Sequence, residues 1–292
     1  MWVEWCAAYS PLTAVVVVNA KDLETIYAYN ADQKTQPASL VKMMTLLLTF
    51  KALKSKKTTL NAKVKISNNA ASQSPTKLGL KTSETISVRD AILALIVKSA
   101  NDIAVAIAEH LETSEGRFVA AMNREALRLG MCSTVFYNAS GRNDPRQLTT
   151  ARDMAKLART LLLEYPEYYH LFSNKQFFLG DRRIRGHYAL LGKQGDIIVD
   201  GIKTGYLNAC GFNLAASAKK GNERVISIVL GCKTSGKREA WTKFLLKKSF
   251  AKLQRKKLMG RTVRPKKDQE SARVVTGIYK KMNTLEGGVH DG

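Results

Sequence analysis

The sequence predicts an α+β fold. One antiparallel sheet is built from both ends of the chain and flanked by helices, with a mainly helical subdomain inserted between its two halves. Three observations carry this. Short β-branched runs occupy the first thirty residues. Apolar residues recur at helical spacing from Ser39 to Leu53, and the stretch from about Val88 to Tyr169 is mainly helical. Short β-leaning runs bounded by Gly and Asn return after Gln176, ahead of one last helical stretch.

Taken in order, Ala14-Val-Val-Val-Val18 reads as a buried strand, residues 21–24 as a polar turn, and residues 25–29 as the returning strand of a hairpin. Gln36-Pro37-Ala38 breaks the strand pattern. From Ser39 the period changes, and Leu40, Met43, Met44, Leu47, Leu48 and Leu53 recur at helical spacing. Pro37 is a helix-start signal, so Ser39 is expected in the first turn of a long, mostly buried helix. Residues 88–98 and 102–111 read as two amphipathic helices, and Ser99-Ala100-Asn101 is the break between them. Residues 115–130 form a third helix, stopped by a glycine. Thr149-Thr150 caps a fourth, which runs to Glu164 and stops before Pro166. Residues 197–203, 211–218 and 224–230 read as strands, and residues 238–258 as the closing helix. Residues 13–250 are expected to form one domain. Residues 1–12 precede it, and residues 251–292 form a basic tail that holds the end of the last helix and then becomes polar.

The 292 residues are 45% hydrophobic, enough for one large core or two modest ones. No internal repeat is present, which excludes solenoids and propellers. The formal charge of +23 favours an anionic partner. No helix-turn-helix, zinc-finger or RNP-type signature accompanies it, so no nucleic-acid partner is expected. Cys6, Cys132, Cys210 and Cys232 form no C-x-x-C pair, and the four histidines are scattered. No metal site and no other cofactor is therefore expected, and the thiols read as buried and unpaired. No apolar run reaches the length of a membrane span. The first ten residues lack the basic and long apolar regions of a signal peptide, so an export signal is expected to be absent or truncated.

The chemistry-bearing pattern starts at Ser39-Leu40-Val41-Lys42. Residues i and i+3 share a helix face, so the Lys42 amine can reach the Ser39 hydroxyl and take its proton. The spacing alone does not select this serine, because Ser-x-x-Lys also occurs at Ser74, Ser217 and Ser249. Only Ser39 combines a helix start, a buried helix behind it and a preceding proline. Ser-x-Asn occurs at Ser67 and Ser99, and only Ser99-Ala100-Asn101 lies between two apolar helices. Lys203-Thr204-Gly205 occurs once, on a predicted strand.

In this order the three elements match the S-x-x-K, S-D-N and K-T-G pattern of β-lactamases and penicillin-binding proteins. The flanking residues extend the match. They include Tyr29-Asn-Ala-Asp32, Pro37-Ala-Ser-Leu-Val-Lys-Met-Met-Thr45, Pro166-Glu-Tyr-Tyr169, Val199-Asp-Gly-Ile-Lys-Thr-Gly205 and Gly211-Phe-Asn-Leu-Ala-Ala-Ser217. The chain resembles the D-alanyl-D-alanine carboxypeptidases, the low-molecular-mass penicillin-binding proteins, over about residues 13 to 250. The resemblance implies a β-lactamase/transpeptidase-like fold. It also implies a serine peptidase acting on peptidoglycan stem peptides that end in D-Ala-D-Ala, acylated covalently by β-lactams, in the bacterial periplasm or cell envelope. By resemblance, Ser39 is the nucleophile, Lys42 its base, and Ser99 the relay of a proton to the leaving amine. Asn101 binds the substrate backbone, while Lys203 and Thr204 hold the terminal carboxylate. Gly205 lets substrate lie close to the strand, and the backbone N–H groups of Ser39 and Tyr206 form the oxyanion hole. The Lys203 charge is expected to disfavour the protonated form of Lys42.

Some positions depart from the family pattern. The middle element reads Ser-Ala-Asn, and Tyr206 stands where many relatives have His. Many relatives also place an Arg before the Lys-Thr-Gly strand. Here the local sequence is Arg182-Arg-Ile-Arg-Gly-His-Tyr188, and it does not say which Arg, if any, takes that role. Asn138-Ala139-Ser140 matches a glycosylation sequon by chance. A class A β-lactamase is the nearest alternative, but it needs a Glu-x-x-Leu-Asn loop, and neither Glu164 nor Glu167 is followed by Leu-Asn. A binding protein that kept the fold without the activity is a second. The basic segment 247–257 reads first as the solvated end of the last helix, and second as a weak contact to an anionic membrane or wall polymer.

Overall fold

The computed structural model describes residues 14–258. The expected segment 1–12 and the tail from residue 259 onward lie outside the described residues. A hairpin, β1 (Ala14–Asn19) and β2 (Thr25–Tyr29), opens the chain. A 3₁₀ turn (Ala38–Val41) leads into α1 (Lys42–Lys54). The helical subdomain follows. It comprises β3 (Lys63–Lys65), α2 (Asn68–Ala71), β4 (Thr85–Ser87), α3 (Val88–Leu93) with a π turn (Ala94–Lys98), α4 (Asn101–Glu112), α5 (Glu115–Arg128), α6 (Ala151–Glu164) and α7 (Pro166–Tyr169). The chain returns through β5 (Gln176–Leu179), β6 (Arg182–Arg185), β7 (Gly192–Gln194), β8 (Ile197–Leu207), β9 (Gly211–Lys220) and β10 (Glu223–Cys232). It ends on α8 (Ser235–Leu258).

The main sheet has the order β2-β1-β10-β9-β8-β7 and is antiparallel throughout. Both ends of the chain therefore build it, as the pattern of strands and helices predicts. The valine run of β1 shows why it does not alternate with polar residues. Val16 and Val18 face the core shared with α1 and α6, while Val15 and Val17 face α8 through Leu245, Phe250 and their neighbours. Each fully buried valine contributes about 1.5–3 kcal/mol of transfer free energy. Helix α1 is buried over most of its surface, with Leu46, Leu47 and Phe50 in the core and Lys51 and Lys54 exposed toward its C-terminal end.

Three differences from the sequence reading matter. The two-stranded β3–β4 sheet was not expected, since each strand is only three residues long. Strand β8 continues four residues past Lys203, because Thr204 to Leu207 keep pairing with β9. Cys132 is exposed, in the turn after α5, whereas Cys210 and Cys232 are buried and unpaired. Among the described residues no helix is long and apolar enough to cross a membrane.

Candidate active site

Ser39 sits in the 3₁₀ turn and Lys42 begins α1. A 3₁₀ turn has three residues per turn, so i and i+3 eclipse more closely than on an α-helix. Lys42 Nζ lies 3.1 Å from Ser39 Oγ. The amine also meets Asn101 Oδ1 at 2.7 Å and the Ser140 carbonyl oxygen at 2.5 Å. The two carbonyl oxygens can only accept, so they take two amine hydrogens. In the neutral amine the remaining lone pair is then left to the Ser39 hydroxyl.

The turn is fixed from two sides. Ala38 is buried with φ +51°, a left-handed conformation that a non-glycine residue adopts only at a cost. Gly141, at φ +82°, lies directly on it, and a Cβ there would stand 2.1 Å from the Ala38 oxygen. Asn138 Oδ1 accepts from the Gly141 and Arg142 N–H groups and shapes that loop. The sequon read as chance is thus a buried turn that delivers Ser140 to Lys42. On the other side, Asn213 Nδ2 donates to the carbonyls of Gln36 and Pro37, and its Oδ1 accepts from the Gly231 N–H.

Burial pushes the Lys42 amine well below the ordinary lysine range. The Lys203 charge adds to this, and Asp102 opposes it. The like-charge effect expected from the sequence is present, but desolvation is the larger cause. Asp102 is fully buried, and its carboxylate accepts from the N–H groups of Leu78, Gly79 and Ile103. It anchors the loop before β4 to the start of α4.

Ser99 closes the π turn in the left-handed region, at φ 62°. Its Oγ is buried without a hydrogen-bond partner among the described residues. Two residues on, Asn101 opens α4. Its Nδ2 donates to the Ser74 carbonyl at 3.1 Å, and its Oδ1 holds Lys42. One Nδ2 hydrogen remains for another acceptor.

The opposite wall is β8. Lys203 is buried, and its Nζ donates to the Thr204 carbonyl at 2.9 Å. Burial first, and then the Arg238 charge, pushes its amine down to about 7. Thr204 is half-buried. A Cβ on Gly205 would lie 3.1 Å from the Ser39 nitrogen and 3.2 Å from Ala38 Cβ, so the strand passes against the Ser39 turn at this glycine. Tyr206 follows, with its ring on Phe212 at 4.2 Å between centroids. Strand β7 pairs only with residues Ile197 to Val199 of β8. From Gly201 onward the edge facing the cleft has no partner strand among the described residues.

Motif reading missed several of these residues. The carbonyl of Ser140 carries no side-chain signature. Asp102, Asn213 and Arg238 stand beside or far from the motifs and announce no role. Among the described residues, no arginine of segment 182–188 forms a hydrogen bond or ion pair with Lys203 or Thr204. Arg182 donates to the Leu78 carbonyl, and Arg183 to Gln176 Oε1.

A family model described as D-alanyl-D-alanine carboxypeptidase matches residues 11–234. The chain belongs to the D-alanyl-D-alanine carboxypeptidase family. It is 38% identical over 211 residues to the D-alanyl-D-alanine carboxypeptidase DacC of Escherichia coli, covering 70% of this chain and 52% of that one. It is 33% identical over 248 residues to DacF of Bacillus subtilis, covering 82% and 62%. The chain thus spans between about half and two thirds of the length of these curated relatives. Penicillin binding protein 5 from Haemophilus influenzae superposes with a TM-score of 0.79 at 35% identity, covering 82% of this chain and 71% of that one. A penicillin-binding protein from Listeria monocytogenes, solved with ampicillin bound, superposes at 0.75 with 31% identity, covering 83% and 99%. The chain shares the β-lactamase/transpeptidase-like fold of these penicillin-binding proteins, as the resemblance implies.

Proposed function

We propose that this chain is a serine-type D-Ala-D-Ala carboxypeptidase of the bacterial cell envelope, working through a Ser39 acyl-enzyme. The observation that carries this is the Lys42 amine. It is buried, depressed toward its neutral form, held by two acceptors, and 3.1 Å from a serine hydroxyl. Geometry and protonation state both suit a base.

The peptide enters as an added strand on the free edge of β8, where main-chain hydrogen bonds align it. Its terminal carboxylate goes to Thr204 and Lys203. The arriving anion favours the charged form of Lys203, so substrate itself raises that amine from about 7. Lys42 takes the hydroxyl proton as Ser39 Oγ bonds to the carbonyl carbon. The oxyanion accepts from the N–H groups of Ser39 and Tyr206, where each donor contributes about 3 kcal/mol. The C–N bond then breaks, and the leaving amine receives the Lys42 proton through the unpartnered Ser99 hydroxyl. Water attacks the acyl-enzyme carbonyl carbon as Lys42 takes its proton, the bond to Ser39 Oγ breaks as Lys42 returns that proton to Oγ, and the shortened peptide departs.

A β-lactam enters the same sequence and stops at the acyl-enzyme. Glu164, the first candidate for a second base, pairs with Arg128, and its backbone carbonyl accepts from Lys54. Stable acylation is therefore expected in place of rapid penicillin hydrolysis. Mass spectrometry of the intact protein after penicillin treatment, with Ser39→Ala alongside, tests this, followed by an assay of D-alanine release. Rapid turnover of penicillin would favour a β-lactamase. The absence of any adduct would favour a binding protein without activity.

A further inference from the structure

A second recess opens at the Lys203–Thr204 end of the cleft, with a volume of about 300 Å³. Ile96, Val97 and Phe172 supply apolar walls, and Lys175 and His187 stand in its lining beside Lys203. Its lining includes no carboxylate. The Lys175 and His187 side chains have no ion-pair partner among the described residues. Both are exposed, at the mouth of the recess, while Phe172 is buried beneath.

The space and the charge exceed what a terminal alanine uses. Its carboxylate is accounted for by Thr204 and Lys203 in the reading above, on which this inference rests. Its methyl group is comparable in size to one water, whose share of liquid volume is about 30 Å³. A recess of this size is far larger than one methyl group and has room for a longer side chain. Its walls suit methylene groups, and its rim offers two nitrogen donors to an anion.

We propose that the leaving-residue side of the cleft accepts a D-residue with an acidic side chain, its second carboxylate docking between Lys175 and His187. The enzyme then hydrolyses D-Ala–D-Glu bonds as well as D-Ala–D-Ala bonds. The chemistry is unchanged. Ser39 Oγ bonds to the D-alanyl carbonyl carbon, the C–N bond breaks, and D-glutamate leaves with its amine protonated. Water then releases the peptide.

Three peptides identical up to the penultimate D-alanine, ending in D-Ala, D-Glu or D-Lys, test this through kcat/KM for amino-acid release. In the wild type, D-Glu is expected within about threefold of D-Ala, and D-Lys at least about tenfold below D-Glu. In Lys175→Ala/His187→Ala, D-Glu release is expected to fall about tenfold while D-Ala release and penicillin acylation change less than about threefold. Equal use of D-Glu and D-Lys by the wild type, or a D-Glu preference that survives the double substitution, overturns the proposal and leaves the carboxypeptidase reading standing. A wild type that releases no D-alanine removes both.

Discussion

The Lys42 amine donates to the Ser140 carbonyl oxygen at 2.5 Å, joining the start of α1 to a loop 98 residues further along the chain. A carbonyl accepts and never donates, so this contact and the Asn101 contact together define which way the amine points. They leave the third direction to Ser39. An ammonium would place a hydrogen there, and the base would be lost.

Lys42→Arg tests that requirement. A guanidinium keeps its charge at every pH a folded protein meets, so it cannot take the Ser39 proton. The second-order rate of penicillin acylation is expected to fall by about a thousandfold, within the range for losing a general base. For the wild type, that rate should fall as acid protonates Lys42.

Asp102→Asn separates two effects of one carboxylate. Its charge raises the proton affinity of Lys42, so removing it lets that amine fall further below the ordinary range. The acid limb of the acylation rate should move to lower pH. The N–H groups of Leu78, Gly79 and Ile103 also lose a charged acceptor, at a cost of about 1.5–3 kcal/mol in denaturant unfolding.

Lys203→Met should stabilise the protein and disable it. Folded Lys203 holds its proton with a pKa of about 7, against 10.5 for an ordinary lysine. Between those values the unfolded chain keeps a proton that the folded chain gives up, so wild-type stability rises with pH across the window. Below about 7 the burial penalty is at full size. The melting temperature of Lys203→Met should exceed that of the wild type at neutral pH, and the gap should close toward the ordinary lysine value. KM for the peptide should rise sharply, because the carboxylate loses its cation.

Two glycine substitutions should fail in different ways. At Gly141 an alanine Cβ meets the Ala38 oxygen at 2.1 Å and the backbone is left-handed, so Gly141→Ala should lose about 3 kcal/mol of stability. At Gly205 the nearest atom is 3.1 Å away and belongs to the Ser39 turn. Gly205→Ala should melt near the wild type and lose acylation rate, because the strand and the nucleophile are pushed apart.

The elements of the sheet and the long helices were legible because each repeats a pattern over many residues. The meeting of Ser39, Lys42, Asn101 and the Lys203–Gly205 strand was legible through order and spacing. What stayed hidden is work done by groups without a side-chain signature or by residues remote in the chain. The Ser140 carbonyl is backbone. Asn213 holds the Ser39 turn from another strand. The π turn before Ser99 shares its apolar spacing with an ordinary helix, so only the hydrogen bonds tell them apart. The three arginines of 182–185 drew the eye by charge, yet Arg182 and Arg183 bind the Leu78 carbonyl and Gln176.

The strand order carries a consequence for how the chain is made. Ala14 pairs with Leu230, so β1 meets β10 only after nearly the whole domain has been synthesised. Until then the valines of β1 have β2 alone on one edge and no permanent cover on the α8 face. Long-range pairing of this kind is slow and leaves apolar strands exposed in transit. The Ser39 turn leans on Gly205 and Asn213, which arrive late as well. On a stalled ribosome, reactivity toward labelled penicillin should therefore switch on in one step, when the C-terminal strands emerge. The antibiotic would then serve as a stopwatch for completion of the nascent fold.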